Sequence, residues 1–171
     1  MILQNCPLCN SASTLFCEKP KHLFYKCDTC DGIFRPKDTF LTAEEEKEHY
    51  EKHNNDVFDE RYQAFVSPIV NAVLHDFTVE AKGLDFGSGT GPVIAKMLTD
   101  KGYQVQNYDL FFAIEPSLLQ EKYNYISCCE VMEHFHHPYQ EFELLKNLLL
   151  PNGKLYCKTA VYYHQKPFEN W

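Results

Sequence analysis

The chain has 171 residues, a length that suits one ordinary domain with a small appendage. Hydrophobic residues make up 44% of the sequence and aromatic residues 15%, so we expect a packed core. The formal net charge of -8 argues against broad electrostatic binding to nucleic acid or to an anionic membrane. The sequence shows neither an apolar run long enough to cross a bilayer nor a signal-peptide pattern, so we expect a cytoplasmic protein.

Two Cys-x-x-Cys pairs lie near the start of the chain, Cys6/Cys9 and Cys27/Cys30. Their spacing is typical of a zinc site rather than of disulfides or a redox pair, because two tight turns can aim four thiolates at one tetrahedral ion. Residues 14–17 and 22–26 look like short strands between the pairs. We therefore predict a structural zinc ribbon over residues 1–40, which needs the metal to fold. The other cysteines are expected in the core: Cys17, Cys128, Cys129 and Cys157.

Residues 41–80 read as two helices. Thr42 and Glu45 form the pattern of a capping box, which predicts a charged helix running to about His53. Apolar residues then recur at helical spacing from Phe58 to Phe77. We predict a helical linker that covers one side of a ligand pocket.

A glycine-rich turn follows the apolar segment 82–86, in the order Leu-Asp-Phe-Gly-Ser-Gly-Thr-Gly-Pro over residues 84–92. A turn of this kind between a strand and a helix brings backbone N–H groups against a ligand. Its G-x-G-x-G spacing differs from the G-x-G-x-x-G of dinucleotide sites, and a carboxylate before the first glycine would repel a pyrophosphate. The pattern favours S-adenosylmethionine (SAM), with its cationic amino-acid end, over NAD. The predicted cofactor-binding residues here are Asp85, Gly87, Ser88, Gly89 and Gly91.

Three further segments complete the pattern of alternating strands and helices. A strand over 103–108 ends at Asp109, about 20 positions after Gly89, where an acid can accept both ribose hydroxyls of a nucleoside. Asp109 and the adjacent Leu110 are predicted cofactor contacts, although an acid here could also be a loop residue or a helix cap. A strand over 123–129 runs into Glu130, a helix follows over 139–149, and a turn at 151–153 precedes a last strand over 154–161.

This order predicts an α/β fold, a Rossmann-like, mostly parallel sheet with flanking helices. The glycine turn, Asp109 and Glu130 would meet at the carboxyl ends of the strands, where such sheets bind ligands.

On these motifs, residues 81–160 resemble a class I SAM-dependent methyltransferase. Residues 84–91 match the first motif of that family, Asp109 its ribose-binding acid, residues 130–134 its segment after strand four, and residues 151–155 its turn into strand five. The N-terminal part resembles the ribbon of a bacterial subgroup that carries four cysteines before the methyltransferase module. The resemblance implies methyl transfer from SAM to an unidentified acceptor, with the methyltransferase domain over 81–171. The alternative is a non-catalytic SAM-binding or zinc-ribbon interaction module.

The sequence departs from the family pattern in two places. Residues 110–122 are too few for the usual helix, strand three and helix, so strand three should be reduced, and Phe111, Phe112 and Pro116 would wall the adenine instead. Strands six and seven have no counterpart after residue 161. We therefore expect either a truncated chain or a homodimer that covers the exposed sheet edge.

Histidines and acids after the predicted strand over residues 123–129 suggest further chemistry. On the first turn of a helix, Glu130, Glu133 and His134 would share one face and could hold a second divalent metal. This resembles the Glu-x-x-Glu-His site of small-RNA 2′-O-methyltransferases and ubiquinone-pathway O-methyltransferases. Alternatively, Glu130 borders the cofactor while the other two make structural contacts. The candidate general bases are His134, His136 and His137, although such histidines are often exposed loop residues. The aromatic tail after residue 161 could line the acceptor site or pack elsewhere.

Overall fold

The computed structural model describes residues 4–20, 22–52, 55–163 and 167–168. Within them the N-terminal part is an antiparallel sheet in the order β1-β2-β3-β4. The strands are β1 (Gln4–Asn5), β2 (Ala12–Lys19), β3 (His22–Cys27) and β4 (Ile33–Phe34). The predicted strands correspond to β2 and β3, which are longer than expected. Cys6 and Cys9 lie in the turn between β1 and β2, Cys27 ends β3, and Cys30 lies in the turn between β3 and β4, at the same end of the sheet.

Two helices follow, α1 (Ala43–Glu51) and α2 (Glu60–Asp76). The predicted capping box at the start of α1 is confirmed: the Glu45 N–H donates to Thr42 Oγ1 over 3.3 Å, and the Thr42 N–H donates to the Glu45 carboxylate over 2.9 Å. Helix α2 contains Pro68 and buries an apolar face. The buried residues of that face are Val66, Ile69, Val70 and Val73.

The rest of the chain alternates strands and helices, as predicted. The elements are β5 (Lys82–Phe86), α3 (Val93–Thr99), β6 (Gln104–Tyr108), β7 (Tyr123–Cys129), α4 (Pro138–Leu148) and β8 (Leu149–Lys158). The strands form one parallel sheet in the order β6-β5-β7-β8. Parallel strands all point the same way, so the segments after β5, β6 and β7 reach one edge of the sheet.

Each face of the parallel sheet is covered by an apolar cluster. Helices α2 and α3 pack on one face around Tyr125, and α4 packs on the other around Leu84 and Ile126. Tyr125 and Ile126 are neighbours in β7 and belong to different clusters because successive strand residues point to opposite faces. The sheet is thus covered on both sides, which leaves its edge at the carboxyl ends of the strands for a ligand.

The structure differs from the sequence prediction at two connections. The turn predicted at residues 151–153 lies inside β8, where pairing with β7 shifts register between Tyr123 and Tyr125 and Asn152 has a positive φ of 65°. Glu130 and Glu133 are not on an α-helix: Glu130 has a φ of 54°, a short 3-10 turn spans Met132–His134, and α4 starts at Pro138. A left-handed residue cannot continue a right-handed helix, so the helical face predicted for this segment is wrong.

The short connection over residues 110–122 contains a 3-10 turn at Pro116–Gln120 and no strand, as the length of this connection predicts. As a result, β6 is the outermost strand on one side of the described sheet. The described part of the tail packs on the N-terminal hairpin. The Phe168 ring lies 5.1 Å from Phe16 and 5.0 Å from Phe24, between ring centroids, and Phe168 is buried. This part of the tail therefore packs as an arm.

Candidate functional site

A cavity of about 680 Å³ opens at the carboxyl ends of the parallel strands, and we call it the sheet-edge cavity. Six of the predicted cofactor-binding residues line it: Gly87, Ser88, Gly89, Asp109, Leu110 and Glu130. Phe111 and Phe112 also line it, as predicted for an adenine wall, whereas Pro116 does not. Its volume falls within the range of small-molecule sites in proteins.

The glycine-rich loop after β5 has the conformation that its glycines permit. Gly87 and Gly89 have φ values of 79° and 64°, in the left-handed region that other residues rarely adopt. Gly91 lies outside the cavity lining, and a Cβ there would come within 1.7 Å of the Asn55 carbonyl oxygen. The absence of side chains therefore lets the loop turn and lets the segment at Asn55 pack directly on it.

Asp109 joins this loop to the end of β6. Its Oδ2 accepts a hydrogen bond from the Gly89 N–H over 2.9 Å, and its Oδ1 accepts from the N–H groups of Phe111 and Phe112 over 2.8 and 3.1 Å. The residue is 8% exposed and lines the cavity. Oδ1 already accepts two bonds, whereas Oδ2 has lone-pair capacity beyond its bond from Gly89, so the side chain can also accept from a ligand hydroxyl.

Asp85 lies beneath the loop and outside the lining of the cavity. Its carboxylate accepts a hydrogen bond from Ser127 Oγ over 2.7 Å, and Ser127 is its register partner in β7. Burial raises the pKa of Asp85 to about 6, although hydrogen bonds from Ser127 and the Ala95 backbone oppose the shift. Asp85 thus connects β5, β7 and the start of α3. Direct contact between Asp85 and the cofactor stays a prediction.

Glu130 lines the cavity immediately after β7, and its own N–H donates to the Lys158 carbonyl over 2.7 Å. Burial raises the pKa of its carboxyl group, and the nearby charge of Glu133 adds to this effect. Glu133 itself accepts a hydrogen bond from Thr159 Oγ1 over 2.6 Å. Among the described residues, the four-cysteine group is the one cluster whose ligand atoms could share an ion, so the structure does not bring Glu130, Glu133 and His134 together in that way.

The three candidate general bases occupy different surroundings. His134 lines the sheet-edge cavity, with its ring centroid 5.7 Å from that of Tyr50. His136 Nε2 hydrogen-bonds to Glu46 Oε1 at 2.7 Å, and His137 Nε2 lies 3.1 Å from Lys37 Nζ. Of these three histidines, His134 lines the sheet-edge cavity and the other two do not.

Sequence reasoning missed an aromatic wall that α1 and α2 add to the cavity, formed by Tyr50, Tyr62 and Phe65. The sequence predicted that this helical segment covers one side of a pocket but did not single out these three residues as its lining. Further lining residues that the sequence did not single out are Glu46, Asn55, Tyr108, Leu119, Phe135, Glu141 and Leu144. Cys129, which was expected in the core, is half-buried and also lines the cavity.

The predicted zinc ligands Cys6, Cys9, Cys27 and Cys30 form a single cluster, with all four sulfur atoms within 4.8 Å of one another. The Sγ atoms of Cys6 and Cys30 lie 3.6 Å apart, and those of Cys9 and Cys27 lie 3.4 Å apart. Four thiolates around zinc at 2.3 Å would be separated by roughly 3.8 Å, so the donor set fits this ion.

The two cysteine turns repeat the same backbone geometry. The residue after each second cysteine has a positive φ, 60° at Asn10 and 59° at Asp31. The N–H of each first cysteine donates to a carbonyl five residues later, Cys6 to Ser11 and Cys27 to Gly32. In addition, the N–H groups of Thr29 and Cys30 donate to Cys27 Sγ over 3.4 Å. Such bonds stabilise thiolates, as a metal ligand requires.

A second cavity, of about 560 Å³, lies between the first cysteine turn and the start of α4. Arg35, Lys37, His136 and His137 line it. Because Phe135 lines the sheet-edge cavity, residues 135–137 form a wall between the two spaces.

A family model described as a methyltransferase domain matches residues 58–171. The chain belongs to this methyltransferase family. The matched part of this methyltransferase begins ahead of β5 and includes α2, the helix that supplies Tyr62 and Phe65 to the cavity. A comparison with curated proteins found no match. No helix in the described parts of this methyltransferase is long and apolar enough to span a membrane.

Proposed function

We propose that the protein transfers a methyl group from SAM to an acceptor, with SAM bound in the sheet-edge cavity. The observation that carries this proposal is the meeting of the Gly89 backbone and the Asp109 carboxylate at that cavity. The family match supports methyl transfer in general, and the residues that line the cavity support SAM as the donor.

Each part of the cavity has a role in this proposal. Asp109 would accept the ribose hydroxyls, the glycine loop would pass close to the amino-acid end, and Phe111 and Phe112 would flank the base. SAM supplies an electrophilic methyl group on a sulfonium sulfur. The protein would hold the nucleophile of the acceptor in line with that group, and His134 is the candidate that could take its proton.

We further propose that the four cysteines hold a structural zinc ion and that residues 1–40, 41–80 and 81–171 are a zinc ribbon, a helical cap and a SAM-binding domain. A ribbon before the methyltransferase module would place the protein in the bacterial subgroup that its sequence resembles. A site of four free thiolates needs a reducing compartment, which supports a cytoplasmic location.

Isothermal titration of the zinc-loaded protein with SAM and with S-adenosylhomocysteine tests the donor. We expect both to bind at one site per chain, while NAD at the same concentrations gives no heat of binding. A folded sample that binds neither SAM nor its product would refute the proposal. Incubation with methyl-labelled SAM and a set of acceptors then separates methyl transfer from SAM binding alone.

A further inference from the structure

The charged groups around the sheet-edge cavity are of one sign. Four carboxylates line it, Glu46, Asp109, Glu130 and Glu141, and none of the described lining residues is a lysine or an arginine. Three of the four accept hydrogen bonds from the protein: Glu46 from His136, Asp109 from backbone N–H groups and Glu141 from the His137 N–H. The described lining of the cavity therefore carries several carboxylates and no lysine or arginine.

Glu130 has electrostatic neighbours of both signs. Glu133 is a like charge, and Lys158 and His134 favour its ionised form. Lys158 nevertheless lies outside the lining, where its Nζ is 3.2 Å from the centroid of the Phe65 ring. This cation thus faces the Phe65 ring from outside the cavity, and no residue of the described lining is a lysine.

Two rings of the aromatic wall, those of Tyr62 and Phe65, stand at the β7 side of the cavity, whereas the Tyr50 ring lies 6.1 Å from the ring of Phe111. The rings of Tyr62 and Phe65 are stacked, with 5.8 Å between centroids and 14° between planes. Tyr62 packs on the same apolar cluster as Cys129, the last residue of β7. Asp109, at the end of β6, is across β5 from Tyr62 and Phe65. With the ribose at Asp109 and the base at Phe111 and Phe112, Tyr62 and Phe65 remain for the other reactant.

Resting on the SAM-dependent function proposed above, we propose that the methyl acceptor presents an aromatic ring without a negative charge to Tyr62 and Phe65. Flat rings pack on such a wall in stacked or edge-on arrangements. An anionic substituent would lose its hydration beside four carboxylates, and the described lining offers no lysine or arginine to pair with it. A cationic substituent could pair with Glu130.

Three phenols with the same ring and different charges test this inference: para-ethylphenol (neutral), tyramine (cationic) and para-hydroxyphenylpropionate (anionic). Each is titrated into protein saturated with S-adenosylhomocysteine, and binding is followed by NMR chemical shifts. We expect tyramine and para-ethylphenol to bind, and the anion to bind at least about tenfold more weakly. In the Glu130→Gln variant, the advantage of tyramine over para-ethylphenol should shrink.

Variants of the aromatic wall supply the second readout. Tyr62→Leu should weaken para-ethylphenol binding by about tenfold while the affinity for S-adenosylhomocysteine stays within about twofold. Phe58→Leu is the matched control, because Phe58 is 72% exposed and lies outside the cavity lining. Equal losses of phenol and S-adenosylhomocysteine binding in Tyr62→Leu would contradict a specific acceptor contact.

The outcomes separate this inference from the function on which it rests. If S-adenosylhomocysteine binds but the anion binds as well as the other phenols, or no phenol binds, the acceptor class is wrong and the SAM-dependent function stands. If S-adenosylhomocysteine itself does not bind to the folded protein, the proposed function is refuted and this inference with it.

Discussion

The Gly89 N–H donates a hydrogen bond to Asp109 Oδ2 over 2.9 Å, and this bond ties the loop after β5 to the end of β6. The same carboxylate accepts from two further backbone N–H groups and borders the sheet-edge cavity. One side chain thus shapes the loop and faces the ligand. A substitution at Asp109 is therefore expected to change the stability of the loop and the free energy of ligand binding together.

Substitution of this carboxylate should weaken SAM binding strongly. The Asp109→Asn side chain has one acceptor oxygen, so either the backbone bonds or the ribose bonds lose a partner. Hydrogen bonds to charged groups contribute about 1.5–3 kcal/mol, so calorimetry should show an affinity for S-adenosylhomocysteine about tenfold to a hundredfold lower. The control is Asp100→Asn, an exposed carboxylate paired with Lys96. An unchanged affinity in Asp109→Asn would remove the ribose role.

Gly91 is expected to tolerate no side chain. In the Gly91→Ala variant the new methyl group would meet the Asn55 carbonyl oxygen at 1.7 Å, so the segment at Asn55 must move away from the glycine loop. Overpacking of this kind costs about 1–3 kcal/mol, and we expect at least about tenfold weaker S-adenosylhomocysteine binding. Gly32→Ala is the control, since its methyl group would meet Cys30 Sγ at an ordinary 3.4 Å. Equal affinities for the two variants would contradict this packing.

Because of Asp85, the free energy of unfolding should fall as pH rises through the weakly acidic range. Burial raises its pKa from 3.8 to about 6, so the native state binds more protons than the unfolded chain between these values. The stabilisation by the protonated form is therefore complete below about pH 4 and is lost as pH rises through about 6, a change on the order of 3 kcal/mol. Urea unfolding at several pH values should show this fall in the wild type and a smaller one in Asp85→Asn. Parallel pH profiles of the unfolding free energy for the wild type and Asp85→Asn would contradict this role of Asp85.

The four-cysteine cluster should bind about one zinc ion per chain, measured by elemental analysis of the purified protein. Cys27→Ser should lose the metal and lower the thermal midpoint, because Cys27 is buried and its sulfur accepts two backbone N–H bonds. Cys17→Ala should retain zinc, since Cys17 lies in the same hairpin but outside the cluster. Metal-free wild-type protein with an unchanged thermal midpoint would contradict a structural zinc site.

Local spacing was enough to predict much of this structure. The four cysteines, the capping box and the glycine loop are encoded by residues close in sequence, and the alternation of strands and helices located Asp109 beside that loop. Asp85 shows the limit of such reasoning. Its neighbours Leu84 and Phe86 point to the α4 face, so strand alternation directs Asp85 to the opposite face, toward Ser127 and α3.

The aromatic wall and the Glu130 segment were harder to predict for a different reason. Tyr62 and Phe65 have the spacing of core residues, and the sequence does not say which part of a helix extends beyond the sheet. Glu130 has a positive φ, so it cannot be part of an α-helix. Glutamate is not among the residues typical of that conformation, so the sequence did not indicate it. Both features depend on contacts between segments far apart in the chain.

The ring contacts of Phe168 with Phe16 and Phe24 have a consequence for the order of folding. They join a hairpin near the beginning of the sequence to a residue that the ribosome adds about 150 positions later. During synthesis the side chains of Phe16 and Phe24 therefore lack the contact with Phe168 until that residue has been added. Closure across so many residues raises the contact order, and we expect docking of this arm to be among the last and slowest steps on the way to the native protein.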